Sequence, residues 1–294
     1  MGTTSLSPHA FRRNLMSIRS EVLVSTDWVA EHGDTADIRI IEVDEDTEAY
    51  GTSHIPGSIA WHWRDDLHAR PRRELISHGG VRELLARSGV GRETTVVLYG
   101  GNNNWFAAYA YWTLKYRGFD RVKMLDGGRK KWEIEGRPQT AEVPLIAASD
   151  PGALRLDRPE LRAFRDYVLS SLDSVEHARV DVRSPQEYTG ELVAPAHLPQ
   201  EQAQVPGHIP GSANVPWALA AREDGSFKSD EELRELYGNF GITADKLVTA
   251  YCRIGERSSH TWFVLHELLE YPNVRNYDGS WTEYGSLVDV PVER

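Results

Sequence analysis

The stretch KLVTAYCRIGERSSHTWFVLHEL, residues 246–268, decides the fold. Its first half, KLVTAY, has the length and composition of a buried parallel strand. Its last third reads as a helix opening near Ser258–Ser259, and Cys252 stands where the strand ends. A second stretch, TTVVLYGGNNNWFAAYAYWTL (94–114), follows the same plan 152 residues earlier. The segment HIPGS occurs at 54–58 and again at 208–212, and KMLDGGRKKW (123–132) parallels RNYDGSWTEY (275–284). Landmarks spaced so steadily imply a duplicated unit. Each unit alternates short Val/Ile/Leu runs with helical segments. Right-handed βα crossovers then give an α/β fold, an open and mostly parallel sheet with helices on both faces. Ligands of such sheets sit beyond the carboxyl ends of the strands, which is where Cys252 lies.

The repeat sets the expected organisation. Residues 1–20 form a flexible polar leader, 21–140 the first domain, 141–158 a linker and 159–294 the second domain. The segment ELVAPAHLPQEQAQ (191–204) belongs to the second copy only and reads as a surface loop. The chain has 294 residues, one cysteine and a net charge of −11. That charge argues against nucleic acid and against anionic membrane as partners. No apolar run is long enough to span a bilayer, and the N-terminus carries no apolar signal segment. One cysteine allows no intrachain disulfide, which fits a reducing, cytoplasmic setting. No cluster has metal spacing, and neither metal nor organic cofactor is expected.

The loop after Cys252 carries the chemistry. A strand–loop–helix turn aims successive N–H groups into one concavity, and the helix start adds its positive end. A thiol placed there favours its thiolate, with Arg253 and Arg257 supplying cations and Glu256 partly offsetting them. Gly255 permits the tight backbone. Cys252 to Arg257 is C-x4-R, a smaller ring than the C-x5-R of cysteine phosphatases, and it suits attack on the outer sulfur of a sulfur donor. A phosphatase is the weakest reading.

The loop CRIGERS, both HIPGS segments and the LDGG/YDGS pair resemble the rhodaneses, and the tandem arrangement resembles actinobacterial-type two-domain thiosulfate sulfurtransferases. The resemblance covers roughly residues 22–290. It implies two rhodanese-like domains, of which only the second is catalytic. Cys252 would take the outer sulfur of thiosulfate, release sulfite, carry a persulfide and pass the sulfur to cyanide or another thiophilic acceptor. The N–H groups along Arg253, Ile254, Gly255, Glu256, Arg257 and Ser258 would cradle the persulfide. Arg183, with Arg253 and Arg257, would bind the donor, and Trp105 and Phe106 would wall the pocket. The cations favour thiosulfate, although Ile254 stands where many thiosulfate enzymes carry Lys. Two alternatives stay open: 3-mercaptopyruvate as donor, and a persulfide carrier whose partner is a sulfur-accepting protein.

Aligning the copies sets Cys252 opposite Gly100 and Arg183 opposite Asp44, so the first copy lacks both thiol and cations. Asn102–Asn104 are expected to make turns. His54 and His208 recur in both copies and are expected to bond backbone. The basic run ARPRRE (69–74) is expected to be a solvated face.

Overall fold

The computed structural model describes residues 19–69, 73–194 and 202–294. Most of the expected leader, the tip of the basic run at 70–72 and the middle of the 191–204 loop lie outside the described residues.

The first sheet holds β1 (Leu23–Val24), β2 (Ile38–Glu42), β3 (Ile59–Ala60), β6 (Thr95–Tyr99) and β7 (Val122–Leu125), in the order β1-β7-β6-β2-β3. Between β3 and β6 lies an antiparallel hairpin of β4 (His68–Ala69) and β5 (Glu74–Leu75). The second sheet holds β8 (His177–Asp181), β9 (Ser212–Asn214), β10 (Leu247–Tyr251) and β11 (Val274–Tyr277), in the order β11-β10-β8-β9. Every strand pair in the two sheets is parallel. The order β7-β6-β2-β3 matches β11-β10-β8-β9 strand for strand. In register, Glu42 sits against Tyr99 as Asp181 sits against Tyr251.

The repetition extends to detail. His54 bridges Thr140 and His208 bridges Glu293, both antiparallel. His54 stacks on Tyr50 and bonds its carbonyl at 2.7 Å; His208 stacks on Tyr188 and bonds its carbonyl at 2.8 Å. These histidines serve the backbone, as their recurrence suggested. The β4–β5 hairpin has its counterpart in the bridge Ala221–Phe227.

One apolar cluster runs through both copies and includes Trp105, Phe106, Cys252 and Ile254. Its centre is the helix Trp105–Tyr116, in which every residue except Lys115 is buried. A helix apolar on all sides must be covered on all sides. Its own sheet covers one face, and the helix Glu256–Trp262 of the second copy covers another. That second helix continues through a π-helical turn, Phe263–Leu268.

Candidate active site

Cys252 follows β10 directly and is fully buried. Its N–H donates to Ser280 Oγ at 3.0 Å, and that hydroxyl donates in turn to the Tyr277 carbonyl at 2.7 Å. The carbonyls of Cys252 and Arg253 accept the N–H groups of Trp281 and Thr282. The cysteine loop is thus tied along its length to the loop after β11. Gly255 has φ +102°, and a Cβ there would lie 2.7 Å from Asp278. Only glycine fits this left-handed position against a neighbouring backbone. The geometry brings the Gly255 N–H to within 3.1 Å of Cys252 Sγ.

The helix begins at Glu256, two residues before the expected Ser258. Ser258 and Ser259 lie inside it; Ser258 Oγ donates to Asn276 Oδ1 at 2.6 Å and Ser259 Oγ to the Gly255 carbonyl at 2.8 Å. Asn276 Nδ2 donates to the same carbonyl and to Ser259 Oγ. Buried polar side chains need such partners.

The arginines divide into different tasks. Arg257 spans two oxygens of Glu187, at 2.8 and 3.0 Å. Burial alone would lower its pKa; the bonds and charge of Glu187, together with Cys252, hold it above the ordinary value. Arg183 is fully buried and grips Asp181, with Nη2 at 2.6 Å, while also donating to the Gly207 carbonyl at 2.7 Å. Its guanidinium lies over the Trp281 ring, 5.0 Å from the centroid. Arg253 is 1% exposed. Burial pulls its pKa down, against the opposing charge of Glu256.

The first copy repeats the pairing of Arg183. There the equivalent guanidinium comes from another element: Arg129 pairs with Glu42 and donates to the Ser53 carbonyl at 2.6 Å. Glu42 and Ser53 are the counterparts of Asp181 and Gly207. The expectation that the first copy lacks a cation therefore holds for its loop and not for its surroundings. The same pairing thus recurs at the sheet end of a copy that has no cysteine, while Arg183 keeps its buried Nη1 without a bond.

The first copy's own loop is closed. Gly101 N–H donates to Asp44 Oδ2 at 2.6 Å, so an internal carboxylate takes the place of a bound anion. A Cβ at Gly100 would lie 2.3 Å from the Val43 carbonyl oxygen. Asn102, Asn103 and Asn104 all have positive φ and make the expected turn.

Two features were not foreseen. Arg73, from the run expected to be a solvated face, donates from Nη1 to the Ile254 carbonyl at 2.7 Å and to the Asp278 carbonyl at 3.1 Å. The hairpin of the first copy thereby clasps the cysteine loop of the second. Reciprocally, Phe227 N–H donates to Asp126 of the first copy, and Gly225 packs on its Gly127 carbonyl. The second is a contact of Glu256, expected only as an offsetting charge and a loop N–H: it is 2% exposed, with Oε2 at 3.5 Å from Cys252 Sγ. Trp105 touches Trp217 across the boundary between copies, with ring centroids 5.2 Å apart, and Phe106 packs on Trp63.

Comparison with known proteins agrees with this geometry. A model of the rhodanese-like domain matches residues 25–135 and 165–287. A protein of Saccharopolyspora erythraea named "Putative thiosulfate sulfurtransferase" is 57% identical over 94% of this chain and 97% of its own length. One of Mycobacterium leprae with the same name is 56% identical over 94% and 98%. The "Sulfur carrier protein TtuD" of Thermus thermophilus is 53% identical over 93% and 97%. Among solved structures, EanB with ergothioneine shares the fold at a TM-score of 0.81 and 24% identity, over 94% of this chain and 70% of that one. With two matched domains, a repeated sheet order and relatives identical at more than half of their positions, the chain belongs to the rhodanese family.

Proposed function

We propose that the second copy is the catalytic one and that Cys252 accepts the outer sulfur of thiosulfate as a persulfide. The protein is a sulfurtransferase. The observation that carries the reading is the Gly255 N–H aimed at Sγ at 3.1 Å, in a loop whose first-copy counterpart is closed by Asp44. Sγ attacks the outer sulfur, sulfite departs, and the loop N–H groups from Arg253 to Ser258 hold the sulfur that remains. Arg253, which follows Cys252 directly in the loop, is the cation for the sulfonate end of the donor. Trp105 and Phe106, with Trp217, form a dry wall. Cyanide or a thiol then removes the sulfur. The names of the actinobacterial relatives favour thiosulfate as donor, and that of the Thermus relative favours a sulfur-carrying role.

Intact mass spectrometry tests the cycle. Thiosulfate is expected to add one sulfur atom, cyanide to erase it, and Cys252→Ser to show neither. A gain from 3-mercaptopyruvate alone would overturn the donor. No gain from either would leave a carrier charged by a partner protein.

A further inference from the structure

The two copies solve one local problem in different ways. In the first, the N–H at the end of β6, that of Gly100, is accepted by Asn104 Oδ1 at 2.9 Å. In the second, the matching N–H, that of Cys252, is accepted by Ser280 Oγ. Ser280 stands where the first copy has Gly128, and both have positive φ, 52° and 56°. A left-handed serine is a strained choice, and such strain collects at functional sites. Glu256 stands where the first copy has Asn104. Relieved of the bond that Asn104 makes, it turns to Sγ instead.

The surroundings of Glu256 are charged and largely paired off. From its own loop come Cys252, Arg253 and Arg257; Glu187 binds Arg257. Tyr109 of the first copy feels its charge. Arg73 holds the carbonyls of Ile254 and Asp278, and Arg162 grips the Asp278 carboxylate at 2.8 Å through both oxygens. A fixed carboxylate beside Sγ has the same sign as an anionic donor and would repel it. The arrangement makes chemical sense when the carboxylate takes up a proton during the reaction.

We propose that Glu256 is the proton relay of Cys252, a reading that rests on the persulfide cycle above. The thiolate that the loop favours forms as the Sγ–H proton passes to Glu256 Oε2, and Sγ uses the freed electron pair to bond the outer sulfur of thiosulfate. The S–S bond of thiosulfate breaks with its pair on sulfite, and the terminal persulfide sulfur keeps its negative charge. Glu256, now neutral, faces that anion without repulsion. When an acceptor attacks the terminal sulfur, the Sγ–S pair returns to Sγ, which takes its proton back from Glu256. No oxidant or reductant enters.

The test is Glu256→Gln, with Glu256→Asp beside it. Persulfide formation is followed by rapid quench and intact mass from pH 5.5 to 9, and iodoacetamide alkylation of Cys252 over the same range. The Gln variant is expected to be about 10²-fold slower near neutral pH, with a rate that rises tenfold per pH unit, while Asp recovers part of the wild-type profile. A carboxylate that acted only as a neighbouring charge would do the opposite. Its removal would make the thiol more acidic and the Gln variant faster at low pH, which overturns the proposal. Alkylation needs no sulfur donor, so failure of wild type to take sulfur from thiosulfate sinks the donor reading while the alkylation profile still judges the relay. Should the Gln variant not fold, difference infrared spectra of wild type on persulfide loading decide: a new protonated carboxyl band is expected, and its absence overturns the relay.

Discussion

Arg257 and Glu187 show how a residue can stand in an active-site loop and still serve the frame. Their pair is buried and bidentate, and breaking one half of such a pair costs about 3–5 kcal/mol because the other charge is left without compensation. Arg257→Leu is expected to lower unfolding free energy by that amount in denaturant titration. The double variant Arg257→Leu/Glu187→Leu is expected to recover most of it, since replacing a whole buried pair with apolar groups is often near neutral. If the double variant also regains thiosulfate turnover, Arg257 is frame; if it stays stable and slow, Arg257 acts on the donor. Glu187 was not singled out in the sequence; in the structure it closes the S-x-x-E cap of its own helix. The structure shows that bond, Ser184 N–H to Oε2 at 3.1 Å, and shows the same oxygen accepting from Arg257. Cys252 was legible because a lone thiol among charged neighbours at a strand end is chemically conspicuous. Pairings at long range, such as Arg257 with Glu187, leave no periodic trace, and their partners could not be read.

Among the elements, the strands and the strand–loop–helix units were legible because β-branched runs are local patterns and the later landmarks recur at a 152-residue offset. The β4–β5 hairpin was not. Its ARPRRE run has the composition of a solvated surface, and only the arrangement of the two copies turns Arg73 onto the cysteine loop. Two bonds from one guanidinium to the carbonyls of Ile254 and Asp278 fix the loop from outside. Arg73→Ala is expected to lower kcat/KM by about 10- to 100-fold, the scale of a lost charge-assisted bond. The melting temperature should move by only a few degrees, and Arg73→Lys should recover part of the activity. Loss of activity matched by loss of folding would make the hairpin a stability element only.

In the whole molecule, the boundary between the copies contains a histidine that stays neutral. His260 is fully buried between Trp217 and Phe227, with the Asn103 backbone approaching from the first copy. Neither ring nitrogen makes a hydrogen bond of normal geometry. Burial pushes its pKa down to about 3, and burial with the Arg73 charge pushes His68 down to about 4. Both are depressed below the ordinary value of about 6.5, so below that pH the unfolded chain binds protons that the folded chain does not. Stability is therefore expected to be steady above pH 6.5 and to fall toward pH 4, by up to roughly 1.4 kcal/mol per pH unit for each group. Melting temperature against pH checks this, and His260→Phe should flatten part of the slope; an unchanged slope would place the acid sensitivity elsewhere. The closed loop of the first copy has a consequence in evolutionary terms. Gly100 has no room for a side chain, Asp44 occupies the N–H of Gly101, and Asn104 occupies that of Gly100. A mutational path to a second nucleophile must cross several steps that each disrupt a working turn before any sulfur chemistry can reward them. Whichever copy preceded the other, the proposed division of labour between them behaves as a ratchet.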